Sequence, residues 1–147
     1  MKLALTALRF LLAGVFLYAG LVKSLSSAEF ALALIPFTVI PSAWLGTIAR
    51  ILPLAEIAAA VLLLLPGTRR IGALAIGGLC LLFIAALGWA LANGIIVSCS
   101  CFGRDEAPSA MKMALALGRD VILALAALAV FLQPAGNRRP GQDRGDR

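Results

Sequence analysis

Four long apolar stretches divide the chain, and the polar residues between them are few enough to name. Leu3 to Val22 is the first, interrupted by Arg9 and closed by Lys23. The mixed connection from Ser24 to Ser42 follows, carrying Glu29, Pro36 and Pro41. It predicts a short interfacial helix around Ala28 to Ile35, because proline lacks the amide hydrogen that would continue it. The second stretch runs from about Ala43 to Leu65 and ends in the turn chemistry of Pro66-Gly67. Arg69 and Arg70 then mark a short charged loop. Ile71 to about Val97 contains no charge and is longer than a perpendicular crossing needs, which predicts tilt or an overhang. A loop over residues 98–112 leads to the fourth stretch, from about Met113 to Leu132, and Pro134 to Arg147 is a polar tail expected to be disordered and cytoplasmic.

A bilayer crossing takes roughly 20 apolar residues per helix, so the chain holds four spans and little else. The expected architecture is an all-α membrane protein, a four-transmembrane-helix bundle formed by residues 1–133. Gly72, Gly77 and Gly78, with Ala73, offer a close helix contact, or else ordinary glycine usage in a membrane helix. Lys2 ahead of an apolar run also resembles a secretory signal, but Arg9 within the run and three further spans argue against cleavage.

Composition agrees. Hydrophobic residues make up 62% and charged residues 14% of the chain, with a mean hydropathy of +1.01, far beyond what a soluble domain of this length needs for its core. The net charge of +6 follows from topology and anionic lipid, with the bilayer as partner and no nucleic acid, since no basic patch is interleaved with aromatics. Lysine and arginine place Lys2, Arg9, Arg69, Arg70, Arg138, Arg139, Arg144 and Arg147 on one side, and Lys23, Arg50, Arg104, Lys112 and Arg119 on the other. Both termini are therefore expected in the cytoplasm, with the third loop outside.

Charges within the spans are the first chemical feature, because each is costly in hydrocarbon without a partner. Counted from the span ends, Arg9 and Glu56 lie at one depth, about thirteen residues in, and are expected to form an ion pair. Arg50 is about 120° around the helix from Glu56 and is expected to pair with Asp120, in an outer layer with Arg119. These pairs can simply bind the bundle together. Lys23, Arg50 and Arg119 can also support a thiolate, because a nearby cation lowers a thiol's pKa.

The thiols are the second feature. The chain has three cysteines and no histidine, and two of the cysteines stand in Ser98-Cys99-Ser100-Cys101-Phe102-Gly103. A disulfide between Cys99 and Cys101 requires a bent backbone, and so small a ring is strained and labile, which suits transfer better than a structural staple. Ser100 and Gly103 permit the bend. Two further readings stay open: an inert pair, and a metal site. The second lacks ligands, since only Asp105 and Glu106 stand near the thiols and zinc takes about four. Metal binding is therefore not expected. Cys80 lies mid-span and reads as a small buried hydrophobe.

Arg9 early in span one, Gly20 and Lys23 at its end, Leu52-Pro53-x-x-Glu56 in span two, the Cys99-x-Cys101-Phe102-Gly103 loop and Arg119-Asp120 in span four together resemble the MauE branch of the DoxX-like membrane proteins. The similarity covers roughly residues 5 to 132. Two positions depart from that pattern: Ser100 stands where glycine is usual, and Asp120 where asparagine is. The resemblance implies a bacterial inner-membrane protein of thiol redox chemistry, linked in the name-giving branch to maturation of the disulfide-rich small subunit of methylamine dehydrogenase alongside a thioredoxin-like partner.

The leading functional expectation is a membrane component of periplasmic thiol–disulfide exchange or redox-protein maturation. Cys99 and Cys101 would be the redox pair, acting as a thiol–disulfide oxidoreductase with a periplasmic thioredoxin-like protein or a disulfide-rich client. A quinone-linked oxidoreductase subunit, with quinone between helices near Trp89 or Phe83, is the second reading; without histidine, haem and iron–sulfur clusters have no ready ligands. A non-catalytic assembly or anchoring factor is the third. No resident cofactor is expected beyond the quinone of the second reading.

Overall fold

The computed structural model describes residues 2–37, 41–65, 67–96 and 109–133. The described residues form five helices: α1 (Lys2–Leu25), α2 (Ser27–Leu34), α3 (Ser42–Leu64), α4 (Arg69–Ala92) and α5 (Ala110–Phe131). All but α2 are long and apolar enough to cross a membrane, with mean hydropathies between 1.9 and 2.4. The chain is thus an all-α, multi-pass bundle. α1 packs along α3, α3 along α4, and α4 along α5, whereas α1 and α5 meet along a much shorter seam. The short α2 lies mainly on α3.

The interior has three tiers. Nearest the end that carries Lys2 and Phe131 is an apolar core of Leu12, Ala13 and Phe16 from α1, Ala59, Ala60 and Leu63 from α3, Ala73, Ile76 and Cys80 from α4, and Ala127 and Val130 from α5. Alanine is frequent there because lipid supplies no hydrophobic drive, and helices associate by close packing of small residues. At the opposite end, Leu87, Ala90 and Met113 form a smaller cluster with Phe37 and Ile95 packed on it. Phe37 also stacks on Trp89, with ring centroids 6.2 Å apart. Lys23, Glu56, Arg119 and Asp120 lie between these tiers.

Helix ends in an apolar medium must find donors for their last carbonyls. At the end of α3 all four do. The Leu65 amide donates to the Val61 carbonyl, the Thr68 hydroxyl donates to Leu62 at 2.9 Å, and the Arg9 guanidinium donates to Leu63 at 2.7 Å and to Leu64. This overturns the Arg9–Glu56 pairing. The cause is register: α1 runs to Leu25 and the chain continues outward through α2, so α3 begins a level beyond the end of α1. Gly20, rather than Arg9, is level with Pro53 and Glu56, and Arg9 reaches the negative end of the α3 dipole instead. Arg69 plays a similar part beyond α5, donating to the carbonyl and side-chain oxygens of Gln133.

The third apolar stretch also ends earlier than expected. α4 stops at Ala92, because Gly94 adopts a φ of 68°, with the Ile95 amide bonded to Ala90 and the Gly94 amide to Leu91. This is a Schellman termination, favoured by glycine at the left-handed position. The loop with Cys99 and Cys101 and the tail from Pro134 lie outside the described residues. Of the glycines expected to bring helices together, only Gly72 does so: a Cβ there would lie 2.3 Å from the Leu63 amide nitrogen, while Gly77 and Gly78 have nothing within 4 Å.

Two outcomes follow for reversible unfolding in mixed detergent micelles. Arg9→Met strands two carbonyls and is expected to cost about 2 to 5 kcal/mol, with Arg9→Lys restoring only part, since an ammonium lacks the forked donors. Gly72→Ala forces α4 off the α3 backbone and is expected to cost about 1 to 3 kcal/mol, whereas Gly77→Ala stays within about 0.5 kcal/mol of the parent.

Candidate functional site

Between the two apolar tiers, all four spanning helices contribute to one polar cluster. Lys23 stands in the last turn of α1, and its side chain runs back into the bundle, where its ammonium donates to Glu56 Oε1 at 2.5 Å. The side chains of the pair are 2% and 1% exposed, which makes this a fully desolvated ion pair. The same ammonium lies 4.5 Å from the centroid of the Phe83 ring on α4 and 5.5 Å from that of Phe30 on α2. Ring faces carry negative potential, so these contacts replace part of the hydration the cation has lost.

The approach that allows the pair is made by Gly20. It lies on the Lys23 face of α1, three residues back, as Pro53 lies three residues before Glu56 on α3. A Cβ on Gly20 would come within 2.9 Å of the Pro53 carbonyl oxygen and 2.7 Å of Ile57 Cγ1. Only a residue without that atom lets α1 sit so near α3 without displacing it.

α5 supplies the other half of the cluster. Arg119 donates from Nε and Nη2 to Asp120 Oδ1, at 3.0 and 2.8 Å. The Asp120 side chain is buried, 5% exposed, whereas that of Arg119 is 31% exposed. A small cavity joins the two pairs, with Val15, Phe16 and Ala19 of α1, Phe83 of α4 and Leu123 of α5 as its apolar walls and Lys23, Glu56, Arg119 and Asp120 as its polar lining. Two cations face two anions, so the cluster is neutral as a whole, and this is what permits four ionisable groups in the middle of a membrane bundle.

The expected site residues therefore separate. Lys23, Glu56, Arg119 and Asp120 come together. Arg9 serves the end of α3, some turns away. Arg50 is exposed on α3 and does not pair with Asp120, which is held by its own neighbour. Helix α5 begins at Ala110, ahead of the expected Met113, so Arg119 and Asp120 sit about 15 Å along the helix from its start, deeper than an outer layer beneath the loop. Cys99 and Cys101 fall outside the described residues. Cys80 is a free, buried thiol within the apolar core. The aromatics offered to a quinone are engaged otherwise, Phe83 by Lys23 and Trp89 by Phe37.

The Lys23–Glu56 pairing was missed because depth was counted from span ends. A readable signal existed nonetheless: Gly20-x-x-Lys23 and Pro53-x-x-Glu56 each put a backbone-exposing residue and a charge on one helical face, at the same spacing.

A multi-pass bundle with a charge-balanced polar layer between apolar tiers defines the class of protein. The chain belongs to the MauE family, described as methylamine utilisation protein MauE, whose model matches residues 1–133. No curated protein and no solved structure matches the chain.

Removing one partner of a buried pair leaves a bare charge. Lys23→Met and Glu56→Leu are each expected to destabilise by about 3 to 5 kcal/mol, and the double variant to recover most of that loss. Unfolding free energies for the four members of this cycle check it, and additive losses would show that the two side chains do not interact.

Proposed function

We propose that the protein is a membrane component of thiol–disulfide exchange or redox-protein maturation in the bacterial inner membrane, with Cys99 and Cys101 as the exchanging pair on the periplasmic side. The observation that carries this is the family match over residues 1–133, which includes the two-cysteine loop. The fold supports it. α4 and α5 both end the loop segment at the face of the bundle opposite Lys2 and Phe131, beside the cluster of Leu87, Ala90 and Met113. The described chain thus leaves α4 and enters α5 at one and the same face of the bundle.

The chemistry is reversible. A thiolate from one cysteine attacks the partner's disulfide, forming a mixed disulfide and releasing one partner thiolate. The second cysteine, as thiolate, then attacks its neighbour's sulfur and releases the other, so the pair is oxidised by two electrons and the partner reduced, or the reverse. Of the cations expected to support the thiolate, Lys23 is held by Glu56 and two ring faces and Arg119 by Asp120. Exposed Arg50 is the one we assign to that role. The partner is a periplasmic thioredoxin-like protein or a disulfide-rich client, with methylamine utilisation as the setting the family's description names.

Cys99→Ser and Cys101→Ser are each tested for a trapped mixed disulfide in intact cells, by non-reducing electrophoresis. One of the two is expected to accumulate an adduct that the double variant cannot form, and an impermeant maleimide is expected to label both thiols from outside. Labelling only after the membrane is opened, or undiminished client maturation in the double variant without any adduct, would overturn the proposal.

A further inference from the structure

Glu56 has two carboxylate oxygens, and the bundle answers only one. Oε1 takes the Lys23 ammonium at 2.5 Å, while Oε2 is buried and receives no hydrogen bond from any described group. A buried carboxylate oxygen without a donor is strongly disfavoured. Glu56 is one of the residues lining the cavity that also reaches Lys23, Arg119 and Asp120. Three properties of that cavity select its occupant. The occupant must donate a hydrogen bond, because Oε2 is an acceptor. It must be neutral, because two cations already balance two anions. It must also be small, since the cavity leaves about 20 Å³ for water-sized spheres, the room for one water molecule or so.

We propose that this cavity is an internal water-binding site. A water there donates to Glu56 Oε2 and is shared with the charged groups of α5, so that the Lys23–Glu56 pair of α1 and α3 and the Arg119–Asp120 pair form one hydrogen-bonded unit. The water lies beside the short α1/α5 seam. It also gives Glu56 contact with exchangeable protons in the centre of an apolar bundle. Nothing in this assignment depends on the thiols of residues 99 and 101.

The test is polarisation transfer from water protons to carbon in solid-state NMR of the full, isotope-labelled chain in lipid bilayers. The Glu56 carboxylate carbon, assigned by its loss in Glu56→Gln, is expected to build up signal at a rate within about threefold of exposed Glu29. The methyl groups of Leu12 and Ile76, which are 0% exposed, stay dark. Glu56 building up no faster than those methyls would overturn the proposal, and both signals are compared within the parent chain. Ala19→Val, which fills the cavity wall, is expected to abolish transfer to Glu56 while leaving Glu29 unchanged. Undiminished transfer in that variant would overturn the cavity as the water's place.

Discussion

Hydrocarbon offers polar groups nothing to bond to, and most of this bundle's architecture follows from that constraint. A helix of Leu, Ile and Ala can lie anywhere in a membrane. A lysine, a glutamate, an aspartate and two arginines cannot, and each of these dictates where its helix must sit relative to a partner. The Lys23–Glu56 pair sets the approach and register of α1 on α3, and Gly20 makes that approach sterically free. Arg9 then finds itself opposite the closing carbonyls of α3. Two charges on one helix, about four turns apart, thus read two different features of the same neighbour: a side-chain carboxylate near the middle and a backbone dipole at the end.

How far this was legible from the residues depended on the kind of information involved. The four spans were plain, since apolar length is a composition property that needs no knowledge of neighbours. So was the short helix before α3, bounded by proline. The end of α4 was less plain because Ile95, Ile96 and Val97 are as apolar as the helix before them. The stop lies in the backbone conformation of Gly94, not in hydropathy. Charge pairing failed for a further reason. Matching Arg9 to Glu56 assumed that all spans begin and end in the same planes. The outward continuation through α2 shifts α3 relative to α1, and with it every depth-based pairing. Asp120 is held by its own neighbour, since a flexible arginine can fold back on an adjacent carboxylate.

The charged layer and the facing ends of α4 and α5 belong to different levels of the molecule. Lys23, Glu56 and Asp120 are enclosed by the spanning helices, whereas the end of α4 and the start of α5 lie at the tier of Leu87, Ala90 and Met113. A buried polar network that costs stability relative to an apolar core can still specify one arrangement of helices over its competitors, and here it ties α1, α3, α4 and α5 at a single height.

The uneven closeness of the helices has its own consequence. Along α3 and α4 the backbones touch at Gly72 and Leu63, with Thr68 and Arg9 locking the turn between them, whereas α1 and α5 meet only briefly. The molecule is therefore built like a bound book, its spine at the α3–α4 hairpin and its fore-edge at the α1–α5 side. Parting such an object at its fore-edge would uncover Lys23, Glu56, Arg119 and Asp120, which line the cavity beside that seam.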